Sequence, residues 1–224
     1  MTDTRRPTIT EIVVGDEPES WRAGGFTVDD DGTCRVGTVR IALVGRADGK
    51  RILSWSLRDA AAGSLEAGEL DGLRTTADER EPVSGAVHAN GARSIDHIVL
   101  ATGDTARTTG ALEQAGLVAL RVRRTDSYGA PMSQTFFRAG EVIVELIGPD
   151  GPPPDGGGGP AGFFGLAYTV DDLDATVSLL GEHLGAVKDA VQAGRRIVTL
   201  RHKQLDMSVA TAFMSPEPAD AASR

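Results

Sequence analysis

Cysteine is nearly absent. Cys34 is the only one in 224 residues, which excludes a disulfide framework within the chain and fits a reducing compartment. It sits in Thr33-Cys34-Arg35-Val36, a strand-like stretch, and reads as a small core residue ahead of a nucleophile. Aromatic residues make up only 4%, so any that line a hollow stand out. No apolar run approaches the roughly 18 residues that a membrane helix needs. The start, Met1-Thr2-Asp3-Thr4-Arg5-Arg6-Pro7, has no apolar stretch behind it and does not read as a signal peptide. No basic stripe appears and the formal net charge is -9, which argues against nucleic acid as a partner. These absences point to a cytoplasmic protein with neither nucleic acid nor membrane as a partner. The rest is ordinary for a globular chain, with 40% hydrophobic and 25% charged residues, and the length suffices for one large domain or two small ones.

Two stretches punctuate the chain. Arg80 to Arg93 holds Pro82, Gly85, Asn90 and Gly91 with few apolar residues. From Gly148 to Pro160 the sequence is almost all proline, glycine and aspartate, which cannot form regular structure. Its glycine run is not a phosphate cradle, because no Gly-Lys-Ser/Thr follows and Pro160 stands where a helix would start.

Between these stretches the pattern reads strand, helix, then strands. Ile95 to Ala101 is β-rich. Gly103-Asp104 can start a helix that Gly116 ends. Leu117 to Arg123 reads as a strand, and Gln134 to Arg138 pairs with Val142 to Ile147 around a hairpin at Ala139-Gly140-Glu141. After the Pro/Gly stretch the plan repeats. Leu166 to Val170 is a strand, Asp171-Asp172 caps a helix with Leu173, Val177, Leu180 and Leu184 on one stripe, and Gly185 ends it. Ala186 to Ala190, Arg196 to Arg201 and Ser208 to Met214 follow as strands. Laying Ile98-Val99-Leu100 on Leu166-Ala167-Tyr168 brings both helices into step, so the unit is an internal repeat.

The first 80 residues carry a fainter copy. Ile9 to Val14, Phe26 to Val28 and Thr38 to Val44 read as strands, with one or two helical turns from Pro18 to Ala23. Ile52 to Leu57 is one more strand, which places Trp55 where Tyr168 stands later. Ala60 to Glu79 is too short and polar for a full fourth copy. The expected plan is therefore a degenerate βαββ-type module at 1–80, a linker at 81–93, paired modules at 94–150 and 162–216 within 94–218, and a disordered tail at 219–224.

The repeated unit, with Asp96-His97-Ile98-Val99, Val144-Glu145-Leu146-Ile147-Gly148-Pro149 and Val170-Asp171-Asp172-Leu173-Asp174-Ala175-Thr176, resembles the vicinal oxygen chelate superfamily of glyoxalases, bleomycin-resistance proteins and extradiol dioxygenases. The resemblance covers about residues 93 to 216. It implies an α+β fold of paired βαβββ modules around a cupped mixed sheet, helices outside, here with the degenerate N-terminal module added. It also implies a divalent metal, of unknown identity, held by one residue on the first strand and one on the last strand of each module. His97 and Glu145 match those positions in the first module. Gly165 and Ala212 match them in the second, and neither can bind a metal. Glu11 falls at the first-strand position of the N-terminal copy and is a conceivable substitute ligand.

The residues themselves point the same way. Glu145 interrupts an apolar strand on the face of Ile143 and Ile147, and a buried carboxylate costs several kcal/mol unless paired or ligated. His97 shares a face with Ile95, Val99 and Ala101. Together they form either two ligands of a metal or a metal-free pair for proton transfer. Gln134, Phe136 and Arg138 share one strand face and Tyr128 precedes a Gly129-Ala130-Pro131 loop, so these four are the expected substrate contacts. Trp55 and Tyr168 read as core packing before ligand stacking. His88, His183 and His202 read as linker, helix-end and turn residues. Two functions stay open: a lyase or isomerase acting on a small oxygenated molecule through His97 and Glu145, or a metal-independent sequestering protein of the bleomycin-resistance type. A homodimer is the expected assembly.

Overall fold

The structure is a computed structural model, and it describes residues 6–126, 129–153 and 158–218. Two sheets carry the fold. The first contains β1 (Thr8–Val14), β2 (Thr33–Val36), β3 (Val39–Leu43), β4 (Ile52–Arg58), β5 (Glu69–Leu70) and β6 (Leu73–Ala77), with α1 (Pro18–Ala23) after β1. Their spatial order is β2-β3-β1-β4-β6-β5. The second sheet is built from β7 (Ala92–Ala101), β8 (Ala119–Thr125), β9 (Met132–Ala139), β10 (Val142–Pro149), β11 (Gly162–Val170), β12 (Lys188–Asp189), β13 (Arg196–Thr199) and β14 (Ala210–Met214). Their order is β12-β13-β14-β11-β7-β10-β9-β8, with α2 (Thr105–Gln114) and α3 (Leu173–Leu180) in the crossovers.

Both sheets follow one plan. In the second, β7 runs parallel to β10, β11 runs parallel to β14, and β7 meets β11 antiparallel at the centre. In the first, β1 runs parallel to β3, β4 runs parallel to β6, and β1 meets β4 antiparallel. The chain is thus an α+β protein of paired βαβββ modules, with reduced copies in front. The register supports the internal repeat: His97 faces Ile143 as Gly165 faces Ala210.

Three local expectations are corrected. The first 80 residues hold more than the expected βαββ-type module, because β5 and β6 lie within Ala60 to Glu79 and form a reduced fourth copy beside β4. Its helix is replaced by turns, while ladder pairing, which needs main-chain groups and little side-chain pattern, is kept. Phe26 to Val28 is not a strand. Phe26 leaves the ladder to pack between Trp21 and Tyr168, with centroids 5.0 Å from each. The helix α3 ends at Gly181, at φ 49°, and not at Gly185. Gly181 takes the left-handed turn that a residue with a Cβ adopts at a cost.

The capping residues act as their types predict. Asp104 accepts from the Arg107 backbone N–H at the start of α2, and Asp172 accepts from those of Asp174 and Ala175 at the start of α3. Gly140, at φ 67°, closes the hairpin between β9 and β10.

One apolar core joins the two sheets. Trp21, Trp55, Phe137, Tyr168 and Phe213 are fully buried, and Phe26 bridges from the first sheet region to Phe213, centroid to centroid 6.1 Å. Each such ring stabilises by roughly 1.5–3 kcal/mol on burial. Trp55 donates to the Thr75 hydroxyl at 2.7 Å, so Trp55 and Tyr168 both serve the core. The scarcity of aromatics has a simple consequence: most are consumed here. On β10, Val142, Val144 and Leu146 enter this core, while Ile143, Glu145 and Ile147 stand on the opposite, half-open face. That second face is the cup. Among the described residues no helix is long and apolar enough to cross a membrane.

Candidate functional site

A β-bulge builds the centre of the cup. Across the antiparallel pair of β7 and β11, His97 faces Ala167 and Ile95 faces Tyr168, so Asp96 is an extra residue on β7. An inserted residue breaks the two-residue alternation and turns two consecutive side chains to one side. Ile95 is therefore buried in the core with Ile98 and Leu100. It does not share the face of His97, which corrects the expected alternation; Val99 and Ala101 do. Asp96 and His97 touch instead: His97 Nδ1 lies 2.8 Å from Asp96 Oδ1.

Asp96 is held on its other side by cations and hydroxyls. Arg195, only 4% exposed, places Nη2 2.6 Å from Asp96 Oδ2. The Thr169 hydroxyl donates to the same oxygen at 2.9 Å. Burial alone would raise the Asp96 carboxyl, but the hydrogen bond and charge of His97, and then Arg195, outweigh it and hold the group at about 2. Asp96 is thus a carboxylate at neutral pH. It fixes the tautomer in which His97 Nδ1 carries a proton and Nε2 is turned to the cup.

Glu145 stands on the neighbouring strand. Its Oε2 lies 3.6 Å from His97 Nε2, and its Oε1 accepts from Gln134 Nε2 at 2.6 Å. Gln134 in turn accepts from Arg123 at 3.1 Å. Burial pushes the Glu145 carboxyl up, against the opposing pull of His97, Gln134, Arg123 and Arg121. At 3.6 Å His97 Nε2 and Glu145 Oε2 are too far apart for a good hydrogen bond. Each group therefore keeps a valence directed at the hollow between them.

The hollow is walled from both ends of the sheet. A cavity of about 240 Å³ is lined by His97, Glu145, Gln134, Phe136 and Arg121 from one side and by Asp189 to Gln192, Ile197 and Met214 from the other. A second, of about 200 Å³, adjoins it, lined by Asp96, His97, Leu120, Arg121, Phe136, Arg138, Ile143 and Gln192. Edge strands β8 and β12 thus curl toward one another, which makes the sheet a cup. The structure brings His97, Glu145, Gln134, Phe136 and Arg138 together around it. Tyr128 lies outside the described residues.

Four contributors were not singled out from sequence. Asp96 was hidden because strict alternation assigns it to the opposite face from His97. Arg195 comes from the connection before β13, and only folding brings it to β7. Arg121 and Gln192 come from the two opposite ends of the sheet. A buried arginine had no sequence signal beyond its type. Glu11, by contrast, is far from its expected role: it pairs with Arg80 at 2.9 Å on the first sheet. His88 is no loose linker residue. It is 5% exposed, with Nδ1 accepting from Thr27 N–H at 3.0 Å.

The donor set is a poor fit for a resident divalent ion. His97 and Glu145 supply two ligands, and among the described residues no group of three or more His, Cys, Asp or Glu could hold a metal. The matching second-module positions are Gly165 and Ala212. No ligand can be built at Gly165 without a shift, because a Cβ there would meet the Ala210 carbonyl oxygen at 2.5 Å. The Arg121 and Arg123 guanidiniums, whose fields reach Glu145, oppose a second cation beside it.

Residues 96–199 match the model of the Glyoxalase/Bleomycin resistance protein/Dioxygenase superfamily. No curated protein matches the chain. Among solved structures, the chain is similar to a mutant of 4-hydroxymandelate synthase from Streptomyces coelicolor, at 12% identity and TM-score 0.62, over 95% of this chain and 93% of that one. A xylose isomerase-like TIM barrel/4-hydroxyphenylpyruvate dioxygenase fusion protein is similar at 12% identity and TM-score 0.57, over 96% of this chain and 49% of that one. Methylmalonyl-CoA epimerase from Mycobacterium tuberculosis aligns at 20% identity and TM-score 0.45, over 59% of this chain and 94% of its own. At such identities the first two likenesses speak of fold alone, and they span both sheets. The stretch that carries the cup around His97, residues 96–199, is thus similar to the glyoxalase, bleomycin-resistance and dioxygenase superfamily.

Proposed function

We propose that this glyoxalase-like protein is an enzyme of the isomerase or lyase type, which moves a proton on a small oxygenated molecule without a resident metal. The observation that carries this reading is the Asp96–His97–Glu145 array. Asp96 holds His97 Nδ1 at 2.8 Å, and His97 Nε2 and Glu145 Oε2 stand 3.6 Å apart. His97 Nε2 takes the proton from a carbon next to a carbonyl. The electron pair moves into the carbonyl, giving an enolate, and the proton returns to a neighbouring atom through His97 or Glu145. No oxidant or reductant enters. Two groups this close lie on one side of any bound molecule. They suit relocation of a proton along one face better than inversion between two opposed bases. Positioned acid–base groups contribute about 10²- to 10⁴-fold in rate.

A second reading is sequestration of a small molecule without turnover. The blank second module, Gly165 and Ala212, favours it. Deuterium exchange separates the two. Protein in heavy water is incubated with a panel of 2-oxo acids, hydroxyketones and small phosphate esters, followed by proton NMR. The proposal expects loss of a C–H signal with one member, slowed about 10²- to 10⁴-fold by His97→Gln. Saturable binding with no exchange across the panel would instead establish the sequestering role.

A further inference from the structure

We infer that the cup contains an anion anchor, in which Arg121 and Arg138 bind the carboxylate or phosphate of the molecule presented to His97. The inference rests on the reading of His97 as the reacting base, and it adds the substrate class.

Arg121 and Arg138 are both exposed, so what singles them out is where they stand: beside His97, on the wall of one hollow. Arg22, Arg35, Arg46, Arg58, Arg80, Arg93, Arg107, Arg124, Arg195 and Arg196 all meet carboxylates within 4.0 Å, the closest pairs at 2.6–2.9 Å. Arg121 and Arg138 form no ion pair or side-chain hydrogen bond with any described residue. Both line the cavity of about 200 Å³ that contains His97. That cavity's one carboxylate, Asp96, is already held by His97, Thr169 and Arg195. No other carboxylate lines that cavity; Arg121 also borders the adjoining one, where Glu145 and Asp189 stand.

The geometry also orders one of them. Arg121 Cζ lies 4.4 Å from the centroid of the Phe136 ring. Stacking pins the guanidinium plane and leaves its N–H edge to face a ligand, which is how an arginine presents a fork to an oxyanion. Leu120, Phe136 and Ile143 make the apolar part of the wall, and Gln192 adds a neutral polar group from the far end of the sheet. An apolar cavity with a few convergent polar groups is the usual form of a small-molecule site, and this one is below the range of about 300–1,000 Å³ for drug-sized ligands. The ligand is therefore a small acid. The neighbouring cavity of about 360 Å³ also contains Arg121 and Arg138, along with Arg93, Arg195, Glu141 and Glu217. Its acidic residues make it the less suitable of the two for an anion. Anchoring the anion there would also serve the chemistry, because the guanidiniums would stabilise the negative charge that develops as His97 removes a proton.

Equilibrium titration tests the anchor independently of turnover. The probes are 2-oxo and 2-hydroxy acids of two to six carbons, their uncharged amides, and small phosphate esters, followed by calorimetry at low and high salt. Saturable binding of an acid, absent for its amide, is expected. Arg121→Gln and Arg138→Gln should each weaken it at least tenfold, Arg138→Lys should restore part of it, and His97→Gln should leave it nearly unchanged. The carboxylate and phosphate arms decide which oxyanion fits. Equal binding of acid and amide, insensitivity to both arginine variants, or no binding by any probe overturns the anchor. Arginine-dependent binding by the unsubstituted protein, with no proton exchange in any bound acid, upholds the anchor and overturns the proton-transfer reading. Exchange that ignores the arginines does the reverse.

Discussion

The two sheets share one strand plan but use their polar residues in opposite ways. On the first sheet, Thr10 donates to Asp78 at 2.6 Å, and Arg80 bridges Asp78 and Glu11 at 2.9 Å each. Hydrogen bonds from Arg80 and Thr10 overcome the burial that would raise the Asp78 carboxyl and hold it at about 2. In that network each charged side chain meets one of opposite sign. On the second sheet, Asp96 is equally well held, but its partner His97 keeps Nε2 open, Glu145 is pushed up by burial, and two arginines have no partner. A duplicated fold thus carries one face on which Asp78, Arg80 and Glu11 pair among themselves and one on which Arg121 and Arg138 meet no carboxylate among the described residues. Charged groups that line a hollow without a carboxylate partner are what a ligand or reaction needs.

The sharpest test of this contrast is paired substitution. Asp96→Asn leaves Arg195, 4% exposed, without its charge partner, and should cost about 3–5 kcal/mol in urea unfolding. Asp78→Asn leaves Arg80, whose side chain is half-exposed, free to turn to Glu11 and water, and should cost about 1 kcal/mol. Equal losses would erase the distinction.

Acid unfolding gives a second, smaller effect. Asp96 titrates at about 2 in the folded protein, below its ordinary 3.8. Its contribution is complete above pH 3.8 and is lost as pH falls toward 2. From the size of that shift it amounts to about 2 kcal/mol. Stability measured across this window should flatten in Asp96→Asn.

Glu145 has the opposite sign. Its folded carboxyl is raised by burial, so its cost is absent below its ordinary 4.5 and grows as pH rises through the folded value. Glu145→Gln should therefore stabilise the protein near neutral pH, by about 0.5–2 kcal/mol as for other relaxed functional sites, while slowing proton exchange. A Tm that falls instead would mean that Glu145 is structural. The smallest effect belongs to Glu11→Gln: a change within about 1 kcal/mol and no change in exchange rate. A large loss of exchange there would return Glu11 to the site.

How far the sequence reached depended on which physical rule governed each feature. Helix starts at Asp104 and Asp172, the hairpin at Gly140 and the match of His97 and Glu145 rest on local chemistry or on residue spacing, and these were legible. Alternation also placed Gln134, Phe136 and Arg138 together correctly. The same rule failed at Asp96, because a bulge is a property of two strands and not of one. The helical stripe ran past the end of α3, which stops at Gly181, φ 49°, ahead of the expected Gly185. The reduced fourth copy escaped notice because its strands are short and polar, and ladder pairing holds them.

The sequence by itself determined the repeat, the strand faces and the two residues at the heart of the cup, because propensity, capping and two-residue periodicity act over a few neighbours. Tertiary structure alone decided that Asp96 joins His97, that Arg195 arrives from some hundred residues away to hold it, and that Arg121 and Arg138 stay unpaired. Those outcomes depend on a register shift between strands and on which charges meet through space, and neither is written in the order of residues along one strand.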